Sequence, residues 1–253
     1  MKYQTLQLRT QPGICFVQLY RPEAQNALNA VLVQELGAAL RAIEEDPNVR
    51  VVVLQGLPQV FCSGMDFQEF VATAPGEEMK MRHVGTFFQQ LAAMSKIIVA
   101  QVRGQVIGGG MALVAVSDLV IAESSATFAL SELLFGLLPA LVLPLLIQRV
   151  GFARAKLLAL STQPITADEA HRWGLVDCYG DDPDRLLRPY LQRWRRLSPH
   201  SIQVLKNYTR QLAPVDEATQ NLALPTIIQA MSDPEVKAGI RRYLEEGVPP
   251  WSR

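Results

Sequence analysis

Apolar residues fall into two kinds of pattern along the chain. Largely apolar runs at Val49–Leu54, Ile97–Val102 and Leu119–Ala122, interrupted only by Arg50 and Gln101, predict short strands that are buried on both faces, as in a parallel sheet. Apolar residues at helical spacing predict amphipathic helices from about Asn29 to Glu45 and from Met79 to Met94. Strands alternate with helices in this way for about 180 residues, which indicates an α/β core.

The pattern changes near Asp181-Asp182-Pro183, and only helices are predicted after it. We therefore expect a core over residues 1–182 and a C-terminal helical region over residues 183–253. Amphipathic helices need an apolar surface to cover, so this region should pack on its own core or on a neighbouring subunit. The chain shows no repeat at solenoid periods and no low-complexity linker.

Charge and cysteine content argue against several classes of function. The 253 residues carry 24 Lys and Arg against 24 Asp and Glu, so the formal net charge is zero and a nucleic-acid footprint is lacking. Three cysteines without a C-x-x-C pair argue against a disulfide framework or zinc knuckle and favour a reducing cytoplasm. The apolar stretch Leu133–Val150 is interrupted by a glycine and two prolines, so we expect no membrane span. We also expect no metal site, because no cluster has ligand spacing.

Two features carry candidate chemistry. The triplet Gly108–Gly110 follows a predicted strand and opens a helix over about Met111–Ser117. Unpaired N–H groups at such a helix start suit an oxygen anion. Glu132 lies in a short apolar segment, where an ionised side chain is energetically costly unless it has a partner or a function. Two structural alternatives stay open, because the triplet could serve only tight helix–strand packing and Glu132 could cap a helix or pair with an arginine.

Nine short segments stand in a specific order and spacing. They are Arg21–Ala24, Asn26–Asn29, Val51–Gln55, Phe61–Asp66, Gly104–Gly110, Ser117-Asp118, Phe128–Gly136, Ile165–Ala170 and Trp173–Asp177. Together they resemble the crotonase (enoyl-CoA hydratase/isomerase) superfamily. The resemblance implies an α/β crotonase fold, which is a spiral of β-β-α turns followed by a helical oligomerisation region. It also implies a homotrimer or hexamer, and an acyl thioester carried on the phosphopantetheine of CoA or of an acyl carrier protein (ACP), with no further cofactor.

The resemblance further implies an oxyanion hole made of two backbone N–H groups. By motif these groups belong to Met65 and Gly109. The preceding glycines, Gly64 and Gly108, and Ala24 of the first segment are implied to bind the substrate.

Arg82 and His83 are candidates for a further substrate contact. They lie on the helix after the loop that closes over acyl groups in this family, and two cationic groups could clamp a distal carboxylate. An exposed polar helix face is the alternative.

One position departs from the hydratases that the chain resembles. Those enzymes carry one glutamate two residues after the triplet and another where Glu132 stands, whereas the first position here is Ala112. A single carboxylate beside an oxyanion hole can remove the proton α to a thioester, and the enolate can then expel a β-hydroxyl. We expect the pKa of the Glu132 carboxyl to rise toward neutrality in its apolar setting of Leu130, Leu133, Leu134 and Phe135.

The segment Ser131–Gly136 and the residues after it resemble the stand-alone crotonases of polyketide β-branching, which dehydrate 3-hydroxy-3-methylglutaryl on an ACP to the 3-methylglutaconyl thioester. We therefore expect a lyase of this kind, with Glu132 as its acid/base. The alternatives are an enoyl-CoA hydratase or isomerase acting on CoA thioesters, a methylglutaconyl-ACP decarboxylase, and a non-catalytic crotonase-like scaffold protein.

Overall fold

The structure is a computed structural model that describes residues 3–73, 79–212 and 217–251, without the side chains of residues 79–83, 217–221 and 224. Its strands are β1 (Leu6–Gln11), β2 (Ile14–Leu19), β3 (Val51–Gln55), β4 (Val60–Cys62), β5 (Ile97–Val102), β6 (Gln105–Ile107), β7 (Leu119–Glu123), β8 (Thr127–Ala129), β9 (Ile165–Thr166) and β10 (Cys178–Gly180). Its helices are α1 (Ala30–Glu45), α2 (Phe67–Ala72), α3 (Met79–Ala93), α4 (Gly109–Ala115), α5 (Leu143–Val150), α6 (Phe152–Ser161), α7 (Ala167–Arg172), α8 (Pro183–Trp194), α9 (Pro199–Leu212), α10 (Glu217–Ser232) and α11 (Pro234–Glu246). Pro22–Ala24 and Glu132–Phe135 form short 3-10 turns.

Within the described ranges, the long strands form a six-stranded sheet in the order β1-β2-β3-β5-β7-β10. Only β1 runs antiparallel to its neighbour, and the other pairs are parallel. Val51–Gln55, Ile97–Val102 and Leu119–Glu123 each have a neighbouring strand on both sides, and nearly all of their residues are buried. The strands predicted from these runs are confirmed.

The short strands form a second sheet of four strands in the order β4-β6-β8-β9, counted over the same residues. In three successive turns of the chain, a strand of the first sheet (β3, β5 or β7) is followed by a strand of the second sheet (β4, β6 or β8). This alternation is the predicted spiral of β-β-α turns, and the crotonase fold class is confirmed. The sequence pattern did not predict the second sheet, because strands of two or three residues have no measurable periodicity.

Two layers of apolar side chains hold the large sheet. On one face the main core lies between the sheet and helices that include α1 and α3. On the other face Leu187 of α8 and Ile202 of α9 pack against residues such as Phe16 and Val53. The C-terminal region is helical, as predicted, and α8 begins at Pro183 with Asp182 as its N-cap. The division into regions 1–182 and 183–253, and an oligomerisation role for the second, stay predictions.

One strand differs from the sequence expectations. The strand expected at Leu175–Tyr179 is displaced to Cys178–Gly180. Asp177 explains the shift, since its carboxylate accepts a hydrogen bond from the Val120 N–H at 2.7 Å and a salt bridge from Arg149 at 2.6 Å, which fixes the turn before the strand. Among the described residues, no helix is long and apolar enough to cross a membrane.

Candidate active site

The second sheet brings the predicted site residues together. β4 leads to Met65, β6 leads to the glycine triplet, and β8 leads to Glu132. β4 pairs with β6 and β6 pairs with β8, all in parallel, so the carboxyl ends of the three strands lie along one edge. Loops that follow neighbouring parallel strands meet at such an edge. This pairing brings Met65, Gly109 and Glu132 to the same edge, although they are far apart in the sequence.

The loops at this edge touch through their glycines. Gly64 and Gly108 have φ values of +95° and +53°, which disfavour residues that carry a Cβ. A Cβ added to Gly64 would lie 3.2 Å from the Ile107 carbonyl oxygen, and one added to Gly108 would lie 3.5 Å from the Gly64 Cα. The same Cβ on Gly108 would lie 3.1 Å from Glu132 Oε1. Glycine at both positions therefore allows close approach of the three loops.

The amides of Met65 and Gly109 are both free within the described part of the chain. Leu28 forms an isolated parallel bridge with Met65, in which the Leu28 N–H donates to Gly64 O at 2.7 Å and the Asp66 N–H donates to Leu28 O at 3.1 Å. The Met65 N–H makes no hydrogen bond to another described residue, nor does the Gly109 N–H at the start of α4. Two unpaired donors thus lie at the same edge of the second sheet, as an oxyanion site requires.

Glu132 is the carboxylate of this site. Its Oε2 is buried and has no hydrogen-bond partner, and the carboxylate forms no salt bridge with any described residue, so the alternative of an arginine pair does not hold. Burial raises the pKa of the Glu132 carboxyl to about 7, while the backbone N–H groups of Glu132 and Ser131 oppose the rise. Such a carboxyl can accept and return a proton near neutral pH.

An apolar cluster is built on the same 3-10 turn as Glu132. Phe135 in the same turn packs edge-to-face on Phe67 of α2 and Tyr243 of α11, with ring centroids 4.7 and 4.9 Å apart. Leu130 is also buried, as expected. The expectation for Leu134 is wrong, because this side chain is 38% exposed. In a 3-10 turn, side chains one residue apart point in different directions, so Phe135 faces inward while Leu134 faces solvent.

At residue 112, where the hydratases named above carry their other glutamate, the chain has a buried alanine. Ala112 is fully buried in the second turn of α4 and belongs to the main core. The helix begins at Gly109 and ends at Ala115, slightly earlier than the sequence predicts, because Gly108 adopts a positive φ and serves as the N-cap. Within the described residues, no group of His, Cys, Asp and Glu side chains could hold a metal ion.

The loop before α1 is fixed by buried polar groups whose role the sequence did not reveal. The Asn26 side chain is fully buried, donates to the carbonyls of Leu19, Val60 and Phe61, and accepts from the Arg21 N–H. These bonds join positions up to 35 residues apart, so no local spacing indicates them. The Ala24 carbonyl in this loop lies 3.5 Å from the Ser63 hydroxyl, which places it beside the Met65 loop.

Asp66 joins the same loop to the site. Its carboxylate accepts from the Gln68 and Glu69 N–H groups as the N-cap of α2 and forms a salt bridge with Arg21 at 3.1 Å. The Arg21 guanidinium also donates to the Ala27 carbonyl at 2.5 Å. Asp66 therefore anchors the segment after Met65.

Cys62 is not a nucleophile in this arrangement. Its side chain is fully buried at the end of β4, and burial raises the pKa of the thiol to about 12. A Cβ added to Gly110 would lie 2.8 Å from the Cys62 Cβ, so the thiol packs beneath the start of α4. The expected tight helix–strand packing is thus present at Gly110.

The side chains of Arg82 and His83 lie outside the described residues, although their backbone belongs to α3. A cavity of about 440 Å³ lies between α3, α5 and α9 and is lined by residues such as Phe88, Leu145 and Lys206. Glu132, Met65 and the glycine triplet are not part of its lining.

A family model, two related proteins and a crystal structure all indicate the same family. The family model described as enoyl-CoA hydratase/isomerase matches residues 9–253. The bacillaene synthase dehydratase PksH of Bacillus subtilis is 39% identical over 257 residues, which cover 98% of this chain and 97% of that protein. The mevalonyl-coenzyme A hydratase sidH of Aspergillus fumigatus is 31% identical over 248 residues, which cover 95% and 92%. The crystal structure of pksH from Bacillus subtilis has a TM-score of 0.90 at 39% identity and covers 97% of this chain and 99% of its own.

Proposed function

The chain belongs to the enoyl-CoA hydratase/isomerase family and is a lyase, and from this premise we propose that it dehydrates a 3-hydroxy-3-methylglutaryl thioester on an ACP to the 3-methylglutaconyl thioester in polyketide β-branching. The observation that carries the proposal is the Glu132 carboxylate, whose Oε2 is buried without a hydrogen-bond partner and whose pKa burial raises to about 7. This carboxylate borders Gly108, which directly precedes the free Gly109 amide, and the site lacks the second carboxylate that hydration of an enoyl thioester uses, since Ala112 fills that position.

The reaction needs one base and one oxyanion site. Ionised Glu132 removes a proton from the α-carbon, and the electron pair of that C–H bond moves onto the thioester oxygen. The Met65 and Gly109 N–H groups stabilise this oxyanion, with about 2.7–4 kcal/mol expected from each donor. The electron pair then returns and forms the α–β double bond while the β-hydroxyl leaves. Protonated Glu132 gives its proton to the departing oxygen, so water forms and Glu132 is ionised again.

The relatives support the substrate class. PksH is a dehydratase of bacillaene synthase, and sidH is a mevalonyl-coenzyme A hydratase. A mevalonyl group carries a hydroxyl and a methyl on its β-carbon, as does 3-hydroxy-3-methylglutaryl. We propose that this chain acts at the same kind of carbon and that its acyl group reaches the site on the phosphopantetheine of an ACP, with no further cofactor.

Binding roles follow from the placement of the remaining residues. Gly64 and Gly108 have no side chain to keep the substrate from the backbone, and we propose that the Ala24 carbonyl, which accepts from the Ser63 hydroxyl, binds the pantetheine arm through its second lone pair. We propose Arg82 and His83 for the distal carboxylate of the glutaryl group, on charge alone.

A homotrimer, or a hexamer of two trimers, is part of the proposal. On α9 the side chains of Leu205, Tyr208 and Leu212 are each more than half exposed, and on α6 so are Phe152 and Leu160. Exposed apolar faces of this kind favour association. A cytoplasmic location also belongs to the proposal and fits the three free cysteines.

Intact-protein mass spectrometry tests the reaction. Purified protein is incubated with 3-hydroxy-3-methylglutaryl-ACP, and the loss of one water from the acyl-ACP is followed with time. We expect turnover by the wild type and a loss of at least about 10² in rate for Glu132→Gln, because the amide cannot accept the proton. Glu123→Gln is the matched control, since Glu123 faces Arg103.

The same assay separates the alternatives. Preference for enoyl-CoA over the acyl-ACP would indicate a hydratase or isomerase of CoA thioesters, and loss of carbon dioxide from 3-methylglutaconyl-ACP would indicate a decarboxylase. No conversion of any of these substrates would favour a scaffold protein. Near-full dehydration by Glu132→Gln would rule out the proposed mechanism.

A further inference from the structure

Leu28 contacts both of the residues whose amides form the proposed oxyanion site. Its backbone pairs with the strand-like segment around Met65, and its side chain packs on Gly109. We propose that Leu28 is a positioning residue that sets the separation and direction of the Met65 and Gly109 N–H groups. This inference rests on the proposed function, because it assumes that these two amides bind the thioester oxygen.

The backbone of Leu28 determines where the Met65 N–H points. In a parallel bridge, one residue bonds to the residues before and after its partner, so the partner's own N–H and C=O face the other way. Here the Leu28 N–H donates to Gly64 O and Leu28 O accepts from the Asp66 N–H, at 2.7 and 3.1 Å. The Met65 N–H is therefore directed away from Leu28 and stays free.

The side chain of Leu28 determines how close the start of α4 can come. A Cβ added to Gly109 would lie 2.7 Å from Leu28 Cδ1 and 3.9 Å from its Cγ. The Leu28 side chain is 8% exposed and belongs to the main core, so it cannot move aside without displacing its neighbours. Glycine at 109 and leucine at 28 thus fit each other.

Leu28 is itself held on both sides. The preceding carbonyl, of Ala27, accepts from the Arg21 guanidinium at 2.5 Å. The following residue, Asn29, caps α1 by accepting from the Leu32 N–H at 2.9 Å. A residue fixed at both ends and touching both donors can hold them at a constant geometry, which is the condition for strong oxyanion stabilisation.

The test compares Leu28→Ala with Leu36→Ala. Leu36 is a fully buried leucine of α1 in the same core and lies eight residues beyond Leu28 in the chain, so its loss reports the effect of removing a core leucine. We expect both variants to lose thermal stability, but only Leu28→Ala to lose at least about tenfold in kcat, with KM changed less than threefold. Leu28→Met, which nearly conserves volume, should restore most of the kcat. Equal kcat values for the Leu28→Ala and Leu36→Ala variants would overturn the proposal.

A double variant tests the contact directly. Gly109→Ala alone should lower kcat because its Cβ collides with Leu28, and the Leu28→Ala/Gly109→Ala pair should be at least about fivefold faster than the product of the two single effects predicts. Effects that simply multiply would count against the proposal.

A second readout keeps this test separate from the choice of substrate. Glutaryl-ACP lacks the β-hydroxyl, so in D2O the enzyme can only exchange its α-protons for deuterium, which intact-protein mass spectrometry detects. If the wild type exchanges these protons but releases no water from 3-hydroxy-3-methylglutaryl-ACP, the proposed function fails while Leu28 is still tested. Slower exchange in Leu28→Ala but not in Leu36→Ala supports the positioning role, and equal exchange in the two variants overturns it.

Discussion

The carboxylate of Glu132 lies against the backbone of Gly108. A Cβ on Gly108 would be 3.1 Å from Glu132 Oε1 and 3.6 Å from its Cδ, so the space between them exists only because residue 108 is glycine. Gly108 is also the N-cap of α4, whose first N–H group is the proposed donor of Gly109. Gly108 therefore lies between the proposed base, Glu132, and the proposed oxyanion donor, the Gly109 N–H.

We expect Gly108→Ala to lower kcat for dehydration by at least about tenfold. Its methyl group would displace Glu132, and a misplacement of about 1 Å can cost 10² in rate. Gly174→Ala is the matched control, because Gly174 also has a positive φ, of +81°, but an added Cβ there meets nothing within 4 Å. Both variants should lose some stability through backbone strain, measured by thermal unfolding. An active Gly108→Ala enzyme would show that Glu132 does not need this space.

The pH dependence of kcat/KM should follow Glu132. Since burial raises the pKa of its carboxyl to about 7, the free enzyme holds the inactive, protonated form below that pH. We expect kcat/KM to rise about tenfold per pH unit below pH 7 and to level off above it, in initial rates measured by mass spectrometry from pH 5.5 to 8.5. A rate already constant at pH 5.5 would contradict the assignment of Glu132 as the base.

Protein stability should depend on pH through the same group. The pKa of the Glu132 carboxyl is raised from 4.5 to about 7, so between these values the folded state binds more protons than the unfolded state. Its contribution to the free energy of unfolding therefore falls as pH rises from about 4.5 to 7, by about 1.4 kcal/mol per pH unit.

Glu132→Gln removes this dependence. We expect the free energy of unfolding of the variant, relative to that of the wild type, to be roughly 2 kcal/mol higher at pH 8 than at pH 5. Urea unfolding at both pH values measures this difference. An unchanged difference at the two pH values would show that the carboxyl titrates normally in the folded state.

Asn26→Ala should destabilise the protein by about 3 kcal/mol. The change leaves buried carbonyls of Leu19 and Phe61 and the Arg21 N–H without their side-chain partners, and each unsatisfied group costs about 1–3 kcal/mol. Gln25→Ala is the matched control, because Gln25 also has a positive φ but is exposed. Urea unfolding measures both. Similar losses in the two variants would assign the effect to backbone strain and not to the buried bonds.

Local sequence pattern was sufficient for the long elements. Val51–Gln55 and Ile97–Val102 are strands because β-branched and apolar residues predominate there, and α1 ends near Glu45 because Pro47 follows. The Glu132 pKa could be anticipated from its apolar neighbours, although Leu134 points to solvent.

The sequence by itself determined the chemical groups of this protein: one carboxylate at Glu132, glycines at 108–110, and alanine at 112 in place of a second carboxylate. Only the tertiary structure decided how they meet. The strands β4, β6 and β8 are three residues long and join segments more than 20 residues apart, so their pairing depends on long-range packing that local periodicity cannot encode. The contact of Leu28 with Met65 and Gly109 exists for the same reason, because it forms only after the core has brought three distant loops together.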